Sequence, residues 1–151
     1  MIVNKATKKD LLDIWLWRND KKSIFFSKNQ KKITLKSHKK WFEKNLTNIR
    51  VKFYLGYLIK KNGKKKVGVV RFNINDKYTL VSINLNPIMR SKGLSHILLA
   101  VAIKKFLRFK KTKLIAEIKN NNLASIKCFL KNKFYFLKRK NSYNFYQRSL
   151  D

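Results

Sequence analysis

Cysteine occurs once in this chain, at position 128, which excludes a disulfide framework and a Cys-based metal site. Proline is as scarce, with Pro87 alone, and there are only four glycines. No linker, repeat or Ser/Pro-rich tract divides the sequence, so the expectation is a single domain over residues 1-151. No run approaches the roughly 18 uninterrupted apolar residues that a membrane-spanning helix needs. The opening stretch MIVNKATKKDLLDIW lacks the charged-then-apolar layout of a secretory signal. These absences make a cytoplasmic protein, without a metal, the expectation.

Acidic residues are the other shortage. Seven Asp and Glu stand against 38 Lys and Arg, giving a formal charge of +31. Two readings of that excess are open. Clustered cations neutralise phosphates and release counterions, which is the footprint of a nucleic-acid binder. Here, though, the cations are mostly Lys, are spread from Lys5 to Lys140, and accompany abundant Asn, Ile, Phe and Tyr. Those residues share A- and T-rich codons, while Arg, the better bidentate reader of phosphates and bases, is scarce. A solvated Lys surface produced by coding bias is the preferred reading, with nucleic acid or a small phosphorylated partner as the alternative.

What is present suffices for a core. Apolar residues make up 44% of the chain, including eleven Phe and three Trp, and a chain this long buries roughly 70% of its unfolded surface. IVNKAT suits a short strand. Thr7 and Asp10 stand three apart like a capping box, ahead of LLDIWLWRN, whose Leu11, Leu12, Trp15 and Leu16 predict an apolar helix face. TLKSHKKWFEKNL predicts a second helix with His38, Trp41 and Phe42 on one side. VKFYLGYLIKKNGKKKVGVVRFNIN reads as a hairpin turning at Asn62-Gly63, and YTLVSINLNP as a strand stopped by Pro87. A long helix follows Gly93, with Leu94, Leu98, Val101, Ala102 and Phe106 on one face. KLIAEIKN, NLASIKCFLKN, FYFLKR and YNFYQR then read as strand, short helix, strand and strand. The order β-α-α-β-β-β-α-β-α-β-β describes a mixed α/β domain with one local parallel pair in a sheet otherwise built from hairpins.

A strand running through a glycine turn into a helix N-terminus is a place for an anion. The first helical N–H groups are unpaired, the helix dipole is positive there, and a glycine removes the Cβ that would block approach. Arg90 and Lys92 add charge beside Gly93. The sequence has neither G-x-x-x-x-G-K-[ST] nor G-x-G-x-x-G, so the other phosphate loops do not apply. From spacing alone, a glycine that merely relaxes a tight turn explains the segment equally well.

NPIMRSKGLSHILLAVAI resembles the acetyl-CoA-binding segment of the GNAT N-acetyltransferases, whose pattern is Arg/Gln-x-x-Gly-x-Gly/Ala after the fourth strand. Arg90, Gly93 and Ser95 occupy its three positions, Ser95 replacing the usual Gly or Ala. NLASIKCFLKNKFYF is similar to the family's Asn-x-x-Ser/Ala segment through Asn122 and Ser125, with Lys133 where a glycine is usual. The resemblance covers nearly the whole chain and implies the GNAT acyl-CoA N-acyltransferase fold. It implies acetyl-CoA as cosubstrate, lying between splayed fourth and fifth strands. Ile83, Leu85 and Asn86 would run along its pantetheine arm, with the diphosphate on Arg90, Lys92, Gly93, Leu94 and Ser95.

LWRND followed by ITLKSHKKWF is similar to the amino-sugar N-acetyltransferases of pseudaminic-acid and related surface-glycan pathways. That likeness implies an acceptor amine on a nucleotide-linked deoxy sugar. Arg18 and His38 would meet its phosphates, and Trp41 or Phe42 would wall or stack on its base. Taken as residues alone, Arg18 also suits a helix C-terminus, and His38, Trp41 and Phe42 suit a core face. The implied chemistry is direct acyl transfer in a ternary complex. The tyrosine many GNAT enzymes use to protonate the leaving thiolate falls at Phe129, which has no proton to give. Tyr143, Tyr146 or water are the substitutes, and Glu117 is the carboxylate available to a water-mediated base. Peptide or ribosomal-protein amines are the alternative acceptors. A GNAT-like fold serving only as a basic binding module is the non-enzymatic alternative, and a homodimer through the C-terminal sheet edge is open.

Overall fold

The structure, a computed structural model, describes residues 1–150. The β-branched and aromatic stretches on either side of Asn62-Gly63 form its two longest strands, β2 (Val51–Lys60) and β3 (Gly63–Ile74). β1 (Ile2–Lys5) pairs antiparallel with β2, and β4 (Thr79–Leu85) with β3. After the long helix α4 (Leu94–Phe109) the chain enters β5 (Leu114–Lys119), the helix α5 (Leu123–Leu130), and the hairpin of β6 (Tyr135–Lys140) and β7 (Tyr143–Arg148). The seven strands lie in the order β1-β2-β3-β4-β5-β7-β6, antiparallel except between β4 and β5. This is the expected mixed α/β sheet, and the parallel pair falls where the strand–helix–strand stretch put it.

Helices cover both faces. α4 and α5 close one core, in which Phe106 stacks on Phe72 of β3 with ring centres 4.1 Å apart. α1 (Leu11–Arg18) and α3 (Leu35–Thr47) close the other, through Ile14, Trp17 and Phe42 against Phe53, Leu55 and Val69. The expected face of α1 is corrected here. Leu12 and Leu16 are 55% and 57% exposed, whereas Ile14 and Trp17 are buried. Apolar residues surround that helix, so two stripes had equal periodicity, and packing on α3 and the sheet selects one. A further helix, α2 (Lys21–Phe26), was not expected. Its six residues carry little apolar pattern, and Asp20 caps it by accepting from the Lys22 and Ser23 N–H groups.

The turn after α5 departs from ordinary backbone. Lys133 has φ +62°, a left-handed conformation in which a Cβ crowds its neighbours, and its side chain is exposed. Lys133→Gly is expected to stabilise the fold by about 1 kcal/mol, raising the melting temperature by about 2–4 °C. A thermal melt that fails to rise would show that the turn is relaxed with lysine in place.

Candidate functional site

β4 and β5 pair only at Thr79–Leu114 and Leu80–Ile115. β4 continues to Leu85 and β5 to Lys119, so beyond Leu80 the facing edges of the two strands separate. A cleft of about 840 Å³ occupies the gap, with Ile83 and Leu85 on one side and Glu117 and Ile118 on the other. At its end α4 begins. Gly93 is the cap residue, with φ +68°, and nothing lies within 4 Å of where its Cβ would be. Sixteen residues of aligned peptide dipole thus end in open space with unpaired N–H groups.

α2 spans the mouth of this cleft. Ser23 donates to the Asn84 side chain on β4 (3.0 Å), while Lys28 pairs with Glu117 on β5 (2.7 Å). Lys119 of β5 donates to the Phe25 carbonyl (2.9 Å). The segment after α2 is held by Asn19, which takes both backbone groups of Ile33 (2.7 and 2.8 Å), and by the Trp15 indole on the same carbonyl. The Asn of LWRND is therefore a clamp on the cleft wall.

The residues expected along a pantetheine arm and diphosphate divide. Ile83, Leu85, Arg90, Gly93, Leu94, Ser95, Asn122 and Ser125 line the cleft, and Lys92 and Asn86 do not. Lys92 points its charge to solvent at an exposed position. Asn86 is taken up by structure: its side chain caps the turn at Pro87–Met89 and donates to the Lys66 carbonyl, and its N–H bonds Val67. Arg90 lines the cleft but is not a free charge. It ion-pairs with Asp20 and donates to Ser23 (2.8 Å). Burial alone would raise the Asp20 carboxyl, but Arg90 and the N–H groups of α2 hold it below its usual value. Asn122 caps α5 through the Ser125 N–H (3.3 Å). Burial pushes the Cys128 thiol up to about 11, against the opposing influence of Ser95 and Lys131, so Cys128 is a neutral wall and no nucleophile.

The sequence matches the profile of the Acetyltransferase (GNAT) family over residues 12–134. The chain belongs to the GNAT acetyltransferase family. It is an acetyl-CoA-dependent N-acetyltransferase of the GNAT type. Solved structures share its fold, three of them as follows. A domain from Methanocaldococcus jannaschii superposes with TM-score 0.88 at 22% identity, over 99% of this chain and 97% of that one. An N-acetyltransferase from Staphylococcus aureus Mu50 gives 0.79 at 24% identity, over 99% and 98%. YncA from Salmonella typhimurium, solved with its cofactor acetyl-CoA, gives 0.79 at 21% identity, over 100% and 94%. Compared with curated protein sequences, the chain has no match.

In this GNAT chain the same cleft continues past the strand gap toward α1 and α3, where Arg18, His38 and Trp41 line it. Phe42 does not. It is fully buried among Ile14, Phe53 and Leu55, so the expectation of a base-stacking role is corrected for Phe42, whereas Trp41 is 38% exposed. Tyr146 is likewise corrected: it is a buried member of the α4–α5 core, its hydroxyl accepting from Asn144. Tyr143 lines the cleft, and Glu117 lines it as the partner of Lys28. Phe129 packs edge-on against Phe134 and is 1% exposed, although its ring reaches the cleft wall.

Of the nitrogen-bearing side chains at this end, His38 was singled out from sequence and Arg71 was missed. His38 is 2% exposed, and burial, aided by the nearby Arg18 charge, pushes it below its usual value; only the Leu11 backbone opposes this. Its Nε2 has no partner. Arg71, in the middle of β3, also lines the cleft and has no partner for its buried Nε. A lone arginine within VGVVRFNIN was the available signal, since a cation in an apolar strand needs a reason.

Proposed function

We propose that the acceptor is the amino group of a nucleotide-linked deoxy amino sugar, taken up at the α1–α3 end of the cleft, with the whole of residues 1-151 acting as one catalytic domain. The observation that carries this reading is the asymmetry of the cleft. Its strand gap opens on the α4 N-terminus at Gly93, while its far end gathers Arg18, His38 and Trp41. Arginine and an aromatic ring on the same cleft wall suit a phosphate joined to a base. Acetyl-CoA would supply an acyl group activated as a thioester. The splayed edges of β4 and β5 would hold its arm, and the Gly93 turn, which no neighbouring atom fills, its diphosphate.

The proton chemistry of this site is sparse. Phe129 gives no proton, and Glu117 is held by Lys28. Tyr143 is the phenol beside the cleft available to return one, and its ring also carries the Lys28 ammonium at 5.6 Å. Positioning of the amine and exclusion of water by α2 therefore carry most of the rate enhancement.

Acetyl-CoA at about 100 times its Kd should raise the melting temperature by roughly 5–10 °C. An unrelated nucleoside triphosphate at equal concentration and high salt should not reproduce that shift. Release of free thiol from acetyl-CoA is then measured with nucleotide-linked amino sugars, peptide N-termini and aminoglycosides as acceptors. Turnover of the first class supports the reading; turnover confined to either of the others refutes it.

A further inference from the structure

The arginines at the far end of the cleft are placed at a cost to the fold. Arg71 sits on the middle strand of the β2–β3–β4 sheet, opposite Phe53 on one side and Ser82 on the other, and both neighbours line the cleft with it. Burial and the charge of Arg18 both push its guanidinium below its usual value. Arg18 donates through one Nη to Ser27 and the Asn29 carbonyl, but its other Nη is buried and unpartnered. None of the five ion pairs among the described residues includes Arg18 or Arg71. Arg71 lies over the Trp41 ring, its guanidinium carbon 5.5 Å from the ring centre. Coding bias accounts for lysines on a surface, where water solvates them. It does not account for a desolvated arginine facing another cation.

We infer that Arg71 and Arg18 form a receptor for a diphosphate group, which makes Arg71 a determinant of acceptor specificity. Two guanidinium charges without an ion-pair partner, both lining the cleft, call for an anion of more than one charge. A carboxylate would neutralise only one of them. Diphosphate oxygens can engage both forks while the Trp41 face stays beside the base. His38, kept neutral beside them, adds no third charge that would need balancing. A polycationic acceptor is disfavoured at this end by direct repulsion. The inference rests on the proposed acceptor only for what the diphosphate is attached to.

The test uses the complete chain saturated with CoA, so that the Gly93 turn is occupied, and calorimetric titration with UDP, inorganic pyrophosphate and uridine. Wild type should bind UDP and pyrophosphate, and uridine at least about tenfold more weakly. Arg71→Met should weaken UDP by about 10- to 100-fold, with Arg71→Lys in between, because an ammonium keeps the charge and loses the fork. CoA affinity should stay within about twofold. The melting temperature of Arg71→Met should not fall, since it removes a partly buried charge that has no ion-pair partner; a residue with a purely structural role would lower it. Equal UDP affinity in wild type and Arg71→Met overturns the receptor, as does a wild type that binds neither anion. If Arg71→Met fails to fold, Arg71→Lys carries the same comparison. The two readings separate cleanly. UDP binding that depends on Arg71, with no amino sugar acetylated, keeps the receptor and removes the sugar. Amino-sugar turnover with an unchanged KM in Arg71→Met does the reverse.

Discussion

Gly68→Ala is expected to lower stability by about 3 kcal/mol, or roughly 6–12 °C in melting temperature, and to raise the KM for acetyl-CoA about tenfold. The added methyl would lie 2.6 Å from the Asn84 carbonyl oxygen and 2.9 Å from the Leu85 Cα. Both are backbone atoms of β4, the strand whose free edge borders the cleft, so the clash is relieved only by moving that edge into the site. Gly56 is its control. It stands directly opposite Gly68 in the sheet, and its Cβ would meet a terminal methyl of Leu98 at 2.3 Å. That obstacle is the end of a side chain, which can rotate, so Gly56→Ala should cost less and leave the KM nearer wild type. Thermal melts and acetyl-CoA saturation curves for the pair decide the point. Equal losses in both variants would show that β4 yields without disturbing the cleft.

The contrast between these glycines marks where sequence reading stops. Gly93 announced itself, because a strand, a proline, two cations and a long apolar helix surround it. Its neighbours are local, and local order is what spacing encodes. The strands, the hairpin at Asn62-Gly63 and the parallel β4–β5 step were legible for the same reason. Gly68 was not, since its constraint comes from a strand sixteen residues away that approaches only after folding. Arg90 shows the same limit with charge. Sequence placed a free cation at the turn, and the fold brings Asp20 from α2 to neutralise it. Phe42 and His38 lie on one face of α3 as periodicity required, yet which of them reaches the cleft depends on the depth of the sheet beneath. Arg71 lay in a segment read as an ordinary strand, and only its place in the folded cleft wall, with no ion-pair partner, gives it meaning.

His38→Phe should separate the two things this histidine does. The phenyl ring keeps the parallel contact with Phe42, now at 5.7 Å and 11°, but removes both ring nitrogens, the unpartnered Nε2 among them. On the proposed acceptor reading, KM for the acceptor rises about 10- to 100-fold while acetyl-CoA affinity is unchanged, since His38 stands on α3, away from β4, β5 and the Gly93 turn. The pH dependence follows from the direction of the shift. His38 is held neutral in the fold, with its value pushed below the 6.5 of the free side chain. The unfolded chain therefore binds a proton more readily, and folding stability rises with pH through that interval. Its contribution is complete above about 6.5, begins to fall as pH drops past that value, and is lost once pH passes the folded one. Protonation would also place a third cation beside Arg18 and Arg71. Denaturant titrations between pH 8 and 5 should show this decline in wild type and lose it in His38→Phe. A decline of equal size in both proteins would assign the acid sensitivity to other groups and leave His38 as packing.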